Sequence, residues 1–212
     1  MIKAEVNVTG TIKRGAVIRN DRQGKPYIGF VLTVNIQNRV GDMMPADIYV
    51  SIPGADQGSL QRYTEGTRVT ISGTLEVRKR NDNLVFYLEA NLLDVEDVSS
   101  LDAISGMMTF RGHLRNEKVY EERMTKKGRP YLLFSAYSAE KVGEEFVSTW
   151  VNFMRFPEVG TGIESITPEW MTAKAHVQIT GSFELGFYKG KLSLASIVKS
   201  MDPYVKPEYV QH

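Results

Sequence analysis

Gly24-Lys25-Pro26-Tyr27 returns as Gly128-Arg129-Pro130-Tyr131, and its surroundings return with it. Upstream, Val6-Asn7-Val8-Thr9-Gly10-Thr11-Ile12 matches Met108-Thr109-Phe110-Arg111-Gly112-His113-Leu114. Downstream, Phe30 matches Phe134, and Val69-Thr70-Ile71-Ser72-Gly73-Thr74-Leu75 matches Val177-Gln178-Ile179-Thr180-Gly181-Ser182-Phe183. The offsets are 102 (Gly10 to Gly112), 104 (Gly24 to Gly128) and 108 (Gly73 to Gly181), a drift that small loop changes explain. A chain of 212 residues is therefore one module of roughly 100 residues built twice.

Each module has to form its own core within that length, and both read as strands. In Ile28–Val34, residues Ile28, Phe30, Leu32 and Val34 share one face at period two, and Leu132, Phe134 and Ala136 match them. Third strands are expected over Asp47–Ile52 and Trp150–Phe156, fourth strands ending at Gly73 and Gly181, and fifth strands over Leu84–Ala90 and Lys191–Ser196. Asn81-Asp82-Asn83 and Tyr188-Lys189-Gly190 supply the turns before the fifth strands. Weak helical potential over Ser59–Glu65 and Ile163–Ala173, with Pro168 marking a helix start before Trp170, links strands three and four. Five short strands with one helical link is the pattern of the OB-fold. The expectation is an all-β chain of two tandem OB-fold five-stranded Greek-key barrels. The first occupies 1–98, a linker 99–106, the second barrel 107–202, and a tail 203–212 without a repeat counterpart.

Composition removes several function classes. No apolar run approaches ~18 residues, so no membrane span is expected. Met1-Ile2-Lys3-Ala4-Glu5 enters the strand pattern directly, without the apolar stretch of a signal peptide. The absence of cysteine excludes disulfides, thiolate metal sites and cysteine nucleophiles, and fits a reducing, cytoplasmic location. His113, His176 and His212 lie far apart in separate elements, so no metal site is expected. No phosphate-binding glycine loop or nucleophile elbow is present, and Glu121-Glu122 and Glu144-Glu145 read as solvated neighbours. No catalytic residue and no cofactor is expected; the chain reads as a binder.

The formal charge of +1 hides an uneven distribution. Lys13, Arg14, Arg19, Arg22 and Lys25 lie between strands one and two against a single acid, Asp21. The second copy has Arg115, Lys118, Arg123, Lys126, Lys127 and Arg129 there, against Glu117, Glu121 and Glu122. The hairpin between strands four and five adds Arg78, Lys79 and Arg80, with Lys189 and Lys191 in the second copy. Acids collect at Asp94, Glu96, Asp97 and Asp102, giving a positive groove and an acidic back, the footprint of a phosphate-backbone binder. Solvated lysine-rich loops are the alternative, made weaker by the recurrence in both copies. Tyr27 and Tyr131 fall on the face opposite Phe30 and Phe134, free to stack on bases. Tyr49, Phe86 or Tyr87, Trp150, Phe187 and Tyr188 are further candidates; for every one of these aromatics a place in the barrel core is the alternative, and stacking is favoured for Tyr27, Tyr131 and Trp150.

Gly24-Lys25-Pro26-Tyr27-Ile28-Gly29-Phe30-Val31-Leu32 resembles the Gly-Lys-x-x-x-x-Phe-x-Leu stretch of bacterial-type single-stranded DNA-binding proteins. The segment from Tyr63 to Gly73 resembles that family's Tyr…Gly-x-x-Val-x-Ile-x-Gly stretch, and Trp150–Phe156 has its third-strand Trp and Phe spacing. The resemblance implies OB-folds that bind single-stranded DNA through groove aromatics and basic loops, in replication, recombination or repair. Since the family usually assembles four such folds, it also implies a homodimer. The chain departs from the family in lacking an acidic tip, in Lys174 standing where the first copy has Gly66, and in having no first-copy counterpart of Trp150. A tandem-OB protein-interaction scaffold in a replication or conjugation complex and a single-stranded RNA binder are the alternatives.

Overall fold

The computed structural model describes residues 1–38, 40–54, 57–96 and 100–205. It divides into two compact units. The first comprises Ile2–Met107 with Phe183–Leu194; the second comprises Met1, Met108–Ser182 and the chain from Ala195 on. The boundary expected between residues 98 and 99, and the tail from residue 206, lie outside the described residues. Ala103, Ile104 and Ser105, expected in the linker, instead open a strand.

In the first repeat, β1 (Ile2–Asn20), β2 (Pro26–Gln37), β3 (Met43–Pro53), β4 (Arg68–Arg80) and β5 (Asn83–Val95) close on themselves. β1 pairs antiparallel with β2 and β4, β2 with β3, and β4 with β5, while β3 and β5 run parallel. That circuit, 1-2-3-5-4-1, is the OB-fold barrel. One strand serves two partners because β1 bends: its register with β2 shifts between Ile12 and Arg14 and again between Arg14 and Val17. Period-two burial is clear where the barrel wall faces water. Ile2, Ala4, Val6 and Val8 are buried while Lys3, Glu5 and Asn7 are exposed. Ile28, Phe30, Leu32 and Val34 are buried, as are Ile48, Ile71, Leu75, Phe86 and Leu88 on the other strands. Each such side chain contributes about 1.5–3 kcal/mol by leaving water.

The second repeat has β6 (Ala103–Leu114), β7 (Tyr120–Met124), β8 (Pro130–Val142), β9 (Glu145–Arg155), β10 (His176–Ser182), β11 (Glu184–Tyr188) and β12 (Lys191–Pro203). The order β6-β10-β12-β9-β8, closed by a β6–β8 pairing, repeats the circuit of the first. Phe153 centres its core, with Phe110 and Phe134 each 5.2 Å away between ring centroids.

The strands run longer than the sequence pattern suggests, and the helical links are shorter. Gln57–Leu60 forms one helical turn, α1, and Ile163–Ile166 one 3-10 turn. Trp170 lies within a turn closed by the Met171 N–H on the Pro168 carbonyl, not after a helix start. Segments this short gain no cooperative helix stability, so tertiary contacts decide their shape. The repeated tetrapeptide is a hairpin tip. Gly24 and Gly128 take φ of 78° and 76°, the left-handed region open to glycine, and Pro26 and Pro130 begin β2 and β8. No described helix is long and apolar enough to cross a membrane.

Candidate nucleic-acid interface

Beyond the bulges, β1 and β2 continue as a two-stranded arm, with Val17 opposite Gly29, Arg19 opposite Tyr27 and Asn20 opposite Pro26. Lys13, Arg14 and Arg19, expected in a loop, are therefore strand residues; only Arg22 and Lys25 lie in the turn. Asp21 is occupied in closing that turn, its Oδ1 accepting the backbone N–H of Gln23 and of Lys25 at 2.8 Å each.

The arm borders a groove of about 1140 Å³ on the outer face of β2, β3 and β5. Strand register sets out its floor in three rows. Arg14, Val31, Tyr49 and Tyr87 stand opposite one another on successive strands. Gly29, Ser51 and Glu89 form the next row, and Tyr27 with Pro53 the third. Tyr49 and Tyr87 are 44% and 42% exposed and stack with centroids 5.7 Å apart and planes 26° apart. Glu76 of β4 continues the row opposite Tyr87, and Arg78, opposite Val85, holds its guanidinium carbon 5.8 Å from the Tyr87 centroid while its Nη2 pairs with Glu76 at 3.1 Å. Tyr27 lies half-buried across Gly29, where a Cβ would stand 3.2 Å from the Tyr27 Cε2 and 3.5 Å from the Arg19 Cδ. Arg14, Arg19, Arg22 and Lys25 line the same groove.

Other candidates fall elsewhere. Lys13 is outside the groove, its Nζ 2.6 Å from Asp47 Oδ2. Partial burial pushes the Asp47 carboxyl up, but hydrogen bonds from Lys13 and Thr33 and the charges of Lys13 and Arg14 outweigh it and hold it below the usual carboxylate range. Phe86 is core and Tyr87 is the groove residue. Lys79 pairs with Asp82 at 3.0 Å and Arg80 Nη1 donates to the Lys79 carbonyl at 2.7 Å, at a two-residue turn where Asn81 and Asp82 have positive φ. Asp82 is held below its ordinary range by the Lys79 hydrogen bond, the Lys79 charge and then the Lys191 charge. Lys189 sits 5.3 Å over the exposed Tyr188 ring at the β11–β12 tip, which belongs to the first unit; Phe187 is half-buried.

The second repeat does not reproduce this floor. Phe30 faces Val50, and Phe134 faces Phe153, so Ser135 and Asn152 hold the positions of Val31 and Tyr49. Trp150 faces Tyr137, matching Asp47 and Thr33 instead. Trp150 is 49% exposed, 5.0 Å from Tyr137, and Tyr137 is 5.8 Å from His113. His113 in turn stacks on His176 at 4.3 Å, two rings that sequence separation gave no reason to place together. Tyr131 stacks on Phe156 at 5.2 Å, and Arg129 lies over the other partner of that pile: its Cζ is 4.7 Å from the Phe156 centroid and its Nη2 donates to the Pro157 carbonyl at 3.1 Å. Lys126 and Lys127 are exposed in the turn, and Arg115 is half-buried, its N–H bonded to the Ser135 carbonyl at 3.3 Å. No group of three or more metal-ligating side chains occurs among the described residues.

Glu89 was not legible as a groove residue, nor was the opposition of Tyr49 and Tyr87. Leu84-Val85-Phe86-Tyr87-Leu88 is apolar or aromatic throughout, so alternation does not tell its faces apart. Asp102, expected on a solvated acidic back, is instead paired with Arg68, the side chains being 10% and 11% exposed.

The sequence matches no family model and no curated protein. Among solved structures the chain is similar to the single-stranded DNA-binding protein of Thermus aquaticus, at 13% identity and a TM-score of 0.49 over 99% of this chain and 96% of that one. It is also similar to the small single-stranded DNA-binding protein of Streptomyces coelicolor, at 16% identity and a TM-score of 0.35 over 47% of this chain and 95% of that one. A third similarity is to the protein PriB of Ralstonia solanacearum, at 21% identity and a TM-score of 0.32 over 43% of this chain and 98% of that one. The fold of the chain rests on its own two hydrogen-bonded circuits.

Proposed function

We propose that the chain binds single-stranded DNA without catalysing a reaction on it, and that the groove of the first unit is its principal contact. One observation carries the proposal. Two exposed, mutually stacked tyrosines, Tyr49 and Tyr87, floor a groove whose border holds Arg14, Arg19, Arg22 and Lys25. Aromatic faces accept any base, and flanking cations track the phosphates, so binding is largely independent of sequence. A duplex keeps its bases stacked inside and offers no face to those rings. Tyr27, Tyr49 and Tyr87 take the stacking role; Arg14, Arg22 and Lys25 meet phosphate. Trp150, Tyr131 and Arg129 belong to a secondary surface of the second repeat. Work on DNA in replication, recombination or repair, and a homodimer carrying four barrels, complete the proposal.

The test is anisotropy of labelled oligo-dT across a salt series, with unlabelled RNA and duplex as competitors, and mass in solution measured alongside. Binding that weakens steeply with salt through counterion release, and that duplex displaces poorly, supports the proposal. Absence of binding at low salt overturns it. Displacement by RNA at least as readily as by DNA makes RNA the ligand.

A further inference from the structure

We propose that Glu89 gives the groove of the first unit a preference for guanine and makes thymine the base it accepts least; this rests on the single-strand-binding reading above. Glu89 lies between buried Leu88 and Ala90, so it points outward on the same side as Tyr87. It stands opposite Ser51, which stands opposite Gly29, with Thr74 of β4 on its other side. Tyr27 and Arg19 lie across the Gly29 end of that row, which leaves the notch beside the Tyr49–Tyr87 row at Ser51 and Glu89. Rows on one face are about 7 Å apart along a strand, so a base stacked on either set of rings turns an edge over the notch. Among the described residues the Glu89 carboxylate has neither hydrogen bond nor ion pair.

A lone carboxylate beside a phosphate chain repels it unless the ligand brings a donor. Ionised carboxylates only accept. The Watson–Crick edge of guanine carries two neighbouring donors, N1–H and the 2-amino group, which match the two carboxylate oxygens. Cytosine and adenine offer one amino group each. Thymine offers a single N–H between two carbonyl oxygens, and these repel a carboxylate. Charge and donor geometry therefore rank guanine first and thymine last at this position.

The test compares three labelled strands: oligo-dT, the same strand with isolated guanines spaced so that no quadruplex forms, and that strand with inosine for guanine. The guanine strand is expected to bind roughly fivefold tighter than oligo-dT, in the range of one good bidentate contact, with inosine between them because it lacks the 2-amino donor. In Glu89→Gln the guanine advantage disappears and oligo-dT binds more tightly, while thermal unfolding is unchanged at this exposed strand position. Equal binding of guanine and thymine strands, or a guanine advantage that survives in Glu89→Gln, overturns this proposal alone. Failure of all three strands to bind overturns the single-strand reading and this proposal with it.

Discussion

Tyr49 and Tyr87 stack across the parallel pair β3 and β5 of the first barrel, whereas the position of Tyr49 in the second repeat is held by Asn152, whose Oδ1 accepts the Ser135 hydroxyl at 2.8 Å. Duplication has kept the barrel and changed its outer face. Tyr49→Ala and Tyr87→Ala should each weaken oligo-dT binding by about 1–3 kcal/mol, as for loss of one stacking ring. Because the rings touch, the double variant should lose less than the sum, which a double-mutant cycle reads directly. Asn152→Ala should change binding far less.

The salt slope separates phosphate contacts from bystanders. Lys25→Gln and Arg22→Gln should each reduce the slope of log affinity against log salt by about 0.7, the value for one phosphate contact on a single strand. Lys13→Gln should leave that slope unchanged, because its Nζ is committed to Asp47. A slope lowered equally by all three would place Lys13 in the groove.

Asp47 also fixes a pH dependence. Its carboxyl titrates lower in the folded chain than when unfolded, so it stabilises fully above the unfolded value and loses that contribution as pH falls through the folded one. Wild type and Asp47→Asn should therefore differ in urea midpoint at neutral pH, and the difference should shrink as pH drops below about 4. A difference that persists at lower pH would mean that packing, not charge, sets it.

Asp102 closes a buried cluster: its carboxylate pairs with Arg68 and accepts the Asn35 N–H at 2.7 Å and Nδ2 at 2.8 Å, while Arg68 Nη2 donates to the Ser100 carbonyl at 2.6 Å. Asp102→Ala should lower unfolding stability by about 3–5 kcal/mol, because it leaves the Arg68 charge buried without its partner. Arg68→Met with Asp102→Leu should recover most of the loss. Equal damage from single and double variants would show that the pair does not act as a unit.

Lys174 has φ of 59°, in the same left-handed region as Gly66 at 86°. Lys174→Gly should raise stability by about 1 kcal/mol through relief of the Cβ crowding that this region imposes. Thermal unfolding reads the change, and a lower midpoint would show that the lysine side chain contributes more than the strain costs.

Several features of the fold are legible in the amino-acid sequence. The doubled hairpin tip was visible because Gly24 and Pro26 act through backbone constraints that hold in any context, and Gly128 and Pro130 repeat them. Ile28, Phe30, Leu32 and Val34 announced a core face because alternation follows from strand geometry. Arg14, Arg22, Lys25, Tyr27 and Tyr49 were likewise picked out by residue type and place, and the structure brings them into one groove.

What stayed hidden depends on register. Lys13 and Arg14 are neighbours in sequence, yet one is tied to Asp47 and the other reaches the groove, because the β1 bulge falls between Ile12 and Arg14. Trp150 has the type of a stacking residue but lies opposite Tyr137, at the position of Asp47. The duplication, the barrel pattern and the turns follow from period and from local backbone preference, and so are legible in the residues alone. That Tyr49 meets Tyr87, that Glu89 faces the groove, that His113 meets His176 and that Asp102 meets Arg68 is set by the packing of the strands. Those contacts join residues distant along the chain, and which strand lies beside which, and at what register, is a property of the closed barrel.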